Sequence, residues 1–136
     1  CLLQYYVMTE TDLKAKQQKG KVKNMIDTQL LKGILEGCVL AIIARGETYG
    51  YEILSLLGEN GFCDLGEGTL YPLLTRLNKN EYIFCRKAKS PLGPIRKYYT
   101  ITPKGEEYLQ QFKESYRIIN RNAMNILFDV EGEEIC

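Results

Sequence analysis

The stretch GEGTLYPLLTRLNKN, residues 66–80, sets Leu70, Leu73, Leu74 and Leu77 at the i, i+3, i+4, i+7 spacing of one helix face. Pro72 falls within that pattern. Proline lacks a backbone N–H and clashes with the carbonyl four residues back, here that of Gly68. The helix is therefore expected to begin near Thr69, with the threonine as N-cap and Pro72 in the first turn, and to end at Asn80 and Glu81. Such a start displays Thr69, Tyr71 and free backbone donors, an arrangement suited to a phosphate.

Upstream, LLKGILEGCVLAIIARG (30–46) reads as a core helix whose broad apolar face combines Leu30, Ile34 and Cys38 with Leu35, Val39, Ile42 and Ile43. Thr48 is expected to cap a short helix in YGYEILSLLGENG (49–61), burying Tyr51, Leu54 and Leu57 and stopped by Gly58 and Gly61. Two short helices joined by a turn outline a helix-turn-helix. Downstream, YIFCRKAK (82–89) and IRKYYTIT (95–102) are β-rich and flank the turn SPLGP, which predicts a hairpin. Tyr98 and Tyr99 alternate across the second strand, and Tyr99, on the face of Ile101, is expected to be the buried one.

Thr102 with Pro103 behind it and Glu106 four residues on marks the start of a last helix. Leu109, Phe112, Tyr116, Ile119, Ala123 and Ile126 then recur at alternating spacings of three and four. That seam is expected to dimerise with a second copy, the alternative being packing on the chain's own first helix. The expected fold is mainly α with a small β-hairpin wing: an N-terminal extension (1–29), a winged helix-turn-helix domain (30–102), and a C-terminal dimerisation helix with an acidic tail (103–136).

With 136 residues, 45% hydrophobic and 26% charged, the chain has room for one ordinary domain with extensions, and no apolar run approaches the roughly 20 residues of a membrane span. The opening CLLQYYVM has no basic n-region and no small-residue cleavage site, so it does not read as a signal peptide. It does not begin with methionine, and Met8 and Met25 are alternative starts.

A net charge of +1 gives no global argument for a polyanionic partner. Locally, Arg86, Lys87, Lys89, Arg96 and Lys97 cluster on either side of the hairpin turn without an acid among them. A wing charged in this way lays cations along a phosphate backbone. Lys14, Lys16, Lys19, Lys21 and Lys23 form a second basic segment, read as a solvated linker or helix face in preference to a DNA-tracking arm. Five cysteines without a CxxC pair and without histidine argue against zinc or any other metal. Cys38 and Cys85, among apolar neighbours, are expected in the core of a cytoplasmic protein. No catalytic constellation is recognisable, and no cofactor is implied.

The succession LEGCVLAIIARGETYGYEI, GEGTLYPLLTRLNKNEYI, GPIRKYYTITPKGEEYL closely resembles the PadR family of bacterial transcriptional regulators, from about Leu31 to Leu109. Its carriers are Tyr49-Gly50-Tyr51, then Gly68-Thr69-Leu70-Tyr71-Pro72 with Leu74 and Arg76-Leu77, then Arg96-Lys97-Tyr98-Tyr99 followed by Thr102 and Gly105. The resemblance implies a homodimer built through the C-terminal helix with help from an N-terminal one. It also implies a roughly palindromic operator, commonly near the regulator's own gene or a transporter gene. Smaller members often bind a planar aromatic or drug-like inducer between the halves of the dimer. This chain has no tryptophan to stack on one, so ligand sensing is left open. Family members usually carry glycine before the wing strand, whereas this chain has Glu81-Tyr82, so the turn there is expected to use another geometry.

In this fold Thr69, Pro72, Arg76 and Lys79 would enter the major groove, with Arg76 forking onto guanine O6 and N7. Thr69, Tyr71 and Tyr49 would hold phosphate, and Lys89, Arg96 and Lys97 would supply wing contacts. The expected protein is a sequence-specific double-stranded DNA-binding regulator, a dimeric repressor. The competing reading is a winged-helix protein-interaction module.

Overall fold

A computed structural model describes residues 26–129. The chain divides into two compact units, residues 1–33 and 34–136. The elements in chain order are α1 (Thr28–Ile43), β1 (Thr48–Tyr49), α2 (Gly50–Glu59), α3 (Glu67–Lys79), β2 (Ile83–Lys89), β3 (Ile95–Ile101) and α4 (Pro103–Leu127). The strands form one antiparallel sheet in the order β1-β3-β2. Four helices beside a three-stranded sheet with a protruding hairpin make a winged helix-turn-helix. Among the described residues no helix is long and apolar enough to cross a membrane, and no group of His, Cys, Asp and Glu is arranged to hold a metal. The N-terminal basic segment lies outside the described residues.

Of the first unit, the described part is the start of α1, where the Asp27 carboxylate accepts a bond from the Gln29 amide at 2.8 Å. Leu30, expected on the apolar face, is 66% exposed. In the second unit α1 buries Leu35, Val39, Leu40, Ile42 and Ile43, so the inward stripe runs a little to one side of the one expected. Cys38 is half-buried on its flank and Cys85 half-buried in β2; burial pushes the Cys38 thiol up.

The leucine stripe of α3 is the centre of the core: Leu70, Leu73, Leu74 and Leu77 are all buried, with Ile53 and Leu57 of α2 and Ile83 of β2. Each such side chain contributes about 1.5–3 kcal/mol by leaving water. The start of α3 differs from expectation. Its N-cap is Gly66, which makes no side-chain cap bond, and Pro72 lies inside the helix. The Gly66 carbonyl accepts from both Thr69 and Leu70 amides at 3.1 Å, so Thr69 is neither the cap nor a source of free donors. Proline is accommodated because only the Gly68 carbonyl loses its helical partner, and Gly68 is exposed to water.

Thr48 is likewise not the cap of α2. It sits in β1 opposite Tyr99, its hydroxyl donates to Glu52, and the N-cap is Tyr49 without a side-chain bond. Leu57 is buried as expected, but its inward companion is Ile53: Leu54 is half-buried and Tyr51 points outward, 73% exposed. Tyr99 is buried, as expected from its face.

The ends of α2 and α3 are built alike. After α2, the Gly61 amide donates to Gly58 and Phe62 to Leu57; after α3, Glu81 donates to Asn78 and Tyr82 to Leu77. Both are Schellman closures, which require a left-handed residue next to the cap. Gly61 fills that place at φ 100°, and Glu81 fills it at φ 64°. The turn before the wing therefore keeps the geometry that glycine favours and forces a glutamate into it. A side chain in that region costs on the order of 1 kcal/mol. Glu81→Gly is expected to raise stability by roughly 0.5–1 kcal/mol, read as a higher urea midpoint with unchanged slope.

Candidate nucleic-acid interface

The register of the wing sorts its side chains between two faces. Cys85 lies opposite Tyr99, Lys87 opposite Lys97 and Lys89 opposite Ile95, all on the face that carries the buried Tyr99. Arg86 lies opposite Tyr98 and Ala88 opposite Arg96 on the other face, continued by Tyr49 beside Tyr98. The Lys87–Lys97 pair is thus a cross-strand pair of like charges, an arrangement that weakens a hairpin in isolation.

Both arginines of the wing are engaged by neighbouring side chains. Arg86 donates to both oxygens of Glu47, from Nε at 2.7 Å and Nη2 at 2.8 Å, and lies over the Tyr98 ring. That guanidinium holds the Glu47 carboxyl below the usual carboxylate range. Arg96 lies over the Tyr49 ring at 4.1 Å, and Tyr49 meets Tyr98 edge to face at 5.8 Å. Cation and ring attract through the quadrupole, which fixes Arg96 along the hairpin instead of leaving it free to wander. Lys87, Lys89 and Lys97 are exposed. Glu47 neutralises Arg86, and Lys87, Lys89 and Lys97 remain exposed, so the wing keeps an excess of positive charge.

Between the wing and the starts of α2 and α3 lies an open cleft of about 660 Å³, lined among others by Tyr49, Tyr51, Tyr71, Arg96, Lys97 and Tyr99. The Tyr71 hydroxyl lies so close to Gly50 that a Cβ there would overlap it. The ring of α3 is thereby seated on the first residue of α2. The structure brings Tyr49, Tyr71, Arg96 and Lys97 together, while Lys89 lies further along the hairpin with Lys87 and Ile95. Thr69 is exposed on the third residue of α3, behind Glu67 in the first turn. Arg76 stands apart, its Nε donating to Glu36 of α1 at 3.4 Å.

Neither Tyr51, expected in the core, nor Lys87, counted only within the basic cluster, was assigned a DNA contact from the sequence. Tyr51 was grouped with Leu54 and Leu57 on one apolar face, whereas the buried face carries Ile53 and Leu57; Lys87 needed the register, which shows it facing Lys97.

The C-terminal seam divides in two. Leu109 is buried within the chain, and Phe112 packs on Gly37 of α1, where a Cβ would overlap its ring. From Tyr116 onward the apolar side chains lose their cover: Ile119 is 65% and Ile126 82% exposed, with Leu127 and Phe128 beyond, while Ala123 is half-buried.

The sequence profile described as the transcriptional regulator PadR-like family matches residues 39–111. A stretch of 94 residues is 32% identical to an uncharacterised protein of Lysinibacillus sphaericus, covering 68% of this chain and 86% of that one. Among solved structures, a PadR-like transcriptional regulator of Bacillus cereus is 47% identical, with a TM-score of 0.66 over 77% of this chain and 99% of its own. A Streptococcus transcriptional regulator is 44% identical, with a TM-score of 0.66 over 74% and 98% of the two chains.

Burial pushes the Tyr99 phenol up to about 12, and burial followed by its bond to Glu36 does the same for Tyr108. Both folded values lie above the ordinary 10.0, so the folded state favours the neutral phenols. Their contribution is complete below the unfolded value and is lost as pH rises through the folded one. Urea midpoints are expected to fall between about pH 10 and about pH 12, and Tyr99→Phe is expected to make that decline shallower.

Proposed function

The chain belongs to the transcriptional regulator PadR-like family, and on that premise we propose that it is a dimeric repressor that occupies operator DNA and is released by a small-molecule inducer. As a family member it is a DNA-binding transcriptional regulator and not an enzyme. The observation that supports operator contact through the wing is the opposed Lys87–Lys97 pair, with Lys97 lining an open cleft. Like charges set face to face weaken the hairpin, and a phosphate backbone lying across them turns that repulsion into attraction.

In this reading the exposed face of α3 enters the major groove. Tyr49, Thr69 and Tyr71 hold phosphate, and Lys89, Arg96 and Lys97, joined by Lys87, follow the backbone along the wing. Arg76 offers guanine its terminal nitrogens while Glu36 keeps Nε. The backbone amides at the tip of α3 do not form the main phosphate seat, because Glu67 is acidic there and the Thr69 and Leu70 amides are engaged; Thr69 offers its hydroxyl, and the main seat is the cleft where Tyr71, Arg96 and Lys97 meet.

The winged domain of residues 30–102 would be paired by residues 103–136, with Tyr116, Ile119, Ala123 and Ile126 forming the seam and Leu109 and Phe112 anchoring α4 to its own domain. Two copies of α3 about 34 Å apart would read successive major grooves and exclude polymerase from the promoter in the cytoplasm. A small aromatic or drug-like inducer binding against α4 would act as far as its affinity differs between the bound and free shapes.

Fluorescence anisotropy with a labelled duplex from upstream of the protein's own gene, beside a scrambled duplex, tests this reading. Tight, salt-sensitive and preferential binding is the expected result. Absence of preference together with absence of salt dependence would transfer the protein to the class of winged-helix protein-binding modules. Replacing Lys87 and Lys97 together by alanine is expected to weaken both duplexes alike and to reduce the salt slope by about two. Ile119→Glu is expected to yield a monomer by sedimentation with its helical circular dichroism preserved.

A further inference from the structure

Glu36 of α1 is held from two sides by elements with different tasks. Its Oε2 accepts from Arg76 Nε of α3 at 3.4 Å, and its Oε1 accepts from the Tyr108 hydroxyl of α4 at 2.9 Å. The Glu36 side chain is 19% exposed and that of Arg76 55%, so the carboxylate lies mostly under cover while the guanidinium reaches outward. The Arg76 leg is at the long end of a hydrogen bond, whereas the Tyr108 leg is of ordinary length.

Tyr108 is itself fixed. Its ring stacks on Tyr82 at 4.3 Å between centroids and 10° between planes, and Lys104 lies over the Tyr82 ring at 5.5 Å. Tyr82 leaves the turn that closes α3, so the ring supporting Tyr108 is set by the end of the helix that Arg76 belongs to.

We propose that Glu36 is a positioning residue for DNA reading: it aims the Arg76 guanidinium of α3, and Tyr108 passes displacements of α4 to that carboxylate. This rests on the reading of α3 as the groove-entering helix. A carboxylate holding Nε stops rotation of the guanidinium and leaves Nη1 and Nη2 as a fork of fixed direction. A shift of α4 pulls on Oε1 through the Tyr108 hydroxyl, turns the carboxylate and loosens or redirects the longer bond to Arg76. The seam residues that would pair two copies begin at Tyr116, two turns along α4 from Tyr108. A change in the pairing of two copies thereby reaches the reading side chain through one carboxylate.

The test is operator anisotropy with Tyr108→Phe, which keeps the ring stack and removes only the hydroxyl, measured in the full chain and again in the Glu36→Gln and Arg76→Lys backgrounds. Thermal melts are recorded for each variant. Tyr108→Phe is expected to lower affinity for the upstream duplex on the order of tenfold, leaving the scrambled duplex within about twofold. In either background the same change is expected to have no further effect, because its route to the DNA is already cut. Additive losses, or losses shared by both duplexes in step with a lower melting temperature, would show a purely structural bond and overturn the proposal. A folded Tyr108→Phe protein with unchanged preference for the upstream duplex would overturn it too, with the regulator reading intact. Failure of the unsubstituted protein to prefer the upstream duplex would remove the regulator reading itself, and this proposal with it.

Discussion

The approach of Gly105 to the Tyr82 carbonyl determines how the rest of the second unit is held. A Cβ at residue 105 would overlap that oxygen, so the first turn of α4 can lie against the chain leaving α3 only because the position is glycine. Thr102 completes the junction. Its amide donates to the Tyr82 carbonyl at 3.0 Å, its hydroxyl to the Glu81 carbonyl at 2.7 Å, and the same hydroxyl oxygen accepts from the Gly105 amide at 2.9 Å. One threonine thus caps α4 and binds the turn that ends α3. The left-handed Glu81 is held in place by this arrangement, since its carbonyl is engaged on the far side of the turn.

From that junction the two ends of the molecule take different characters. Toward α1, α4 is closed by apolar packing beside the Tyr108–Glu36 bond: Leu109 enters the core and Phe112 fills the space that Gly37 leaves open. Toward the wing the surface is charged and open, with Arg86 matched by Glu47 and the lysines directed into solvent. The division follows from the hairpin register. Residues that pair near the body of the domain, such as Cys85 and Tyr99, lie against the helices, while two positions further out the same face carries Lys87 and Lys97.

The parts of this fold written in periodic burial were legible in the residues. The stripe Leu70, Leu73, Leu74, Leu77 is buried as its spacing requires, the hairpin forms around the proline-rich turn, and Thr102 caps α4 by accepting from Gly105. Helix starts were less legible because they turn on competing backbone partners. A threonine before a helical pattern reads as a cap, yet Thr48 is taken by the sheet and the amides after Gly66 find that residue's carbonyl. The pairings of Glu36 with Arg76 and of Glu47 with Arg86 join residues about forty positions apart, which no local pattern encodes. In the candidate interface, the clustering of basic residues could be seen in the chain, whereas the facing of Lys87 by Lys97 and the seating of Tyr71 on Gly50 needed the strand register and the packed helices.

The two residues of β1 have a mechanical meaning. Thr48 and Tyr49 pair with Tyr99 and Tyr98 of the wing, and the next residue, Gly50, already begins α2. Tyr71 of α3 rests on that same Gly50. Hairpin, α2 and α3 therefore meet at Gly50 as well as in the core, which restrains each of them from tilting alone. If these elements meet DNA as proposed above, they behave as a fixed gauge. When a duplex does not match its span, the bending and the change in groove width fall on the DNA, and sequences that deform easily gain an advantage even at base pairs the protein never touches.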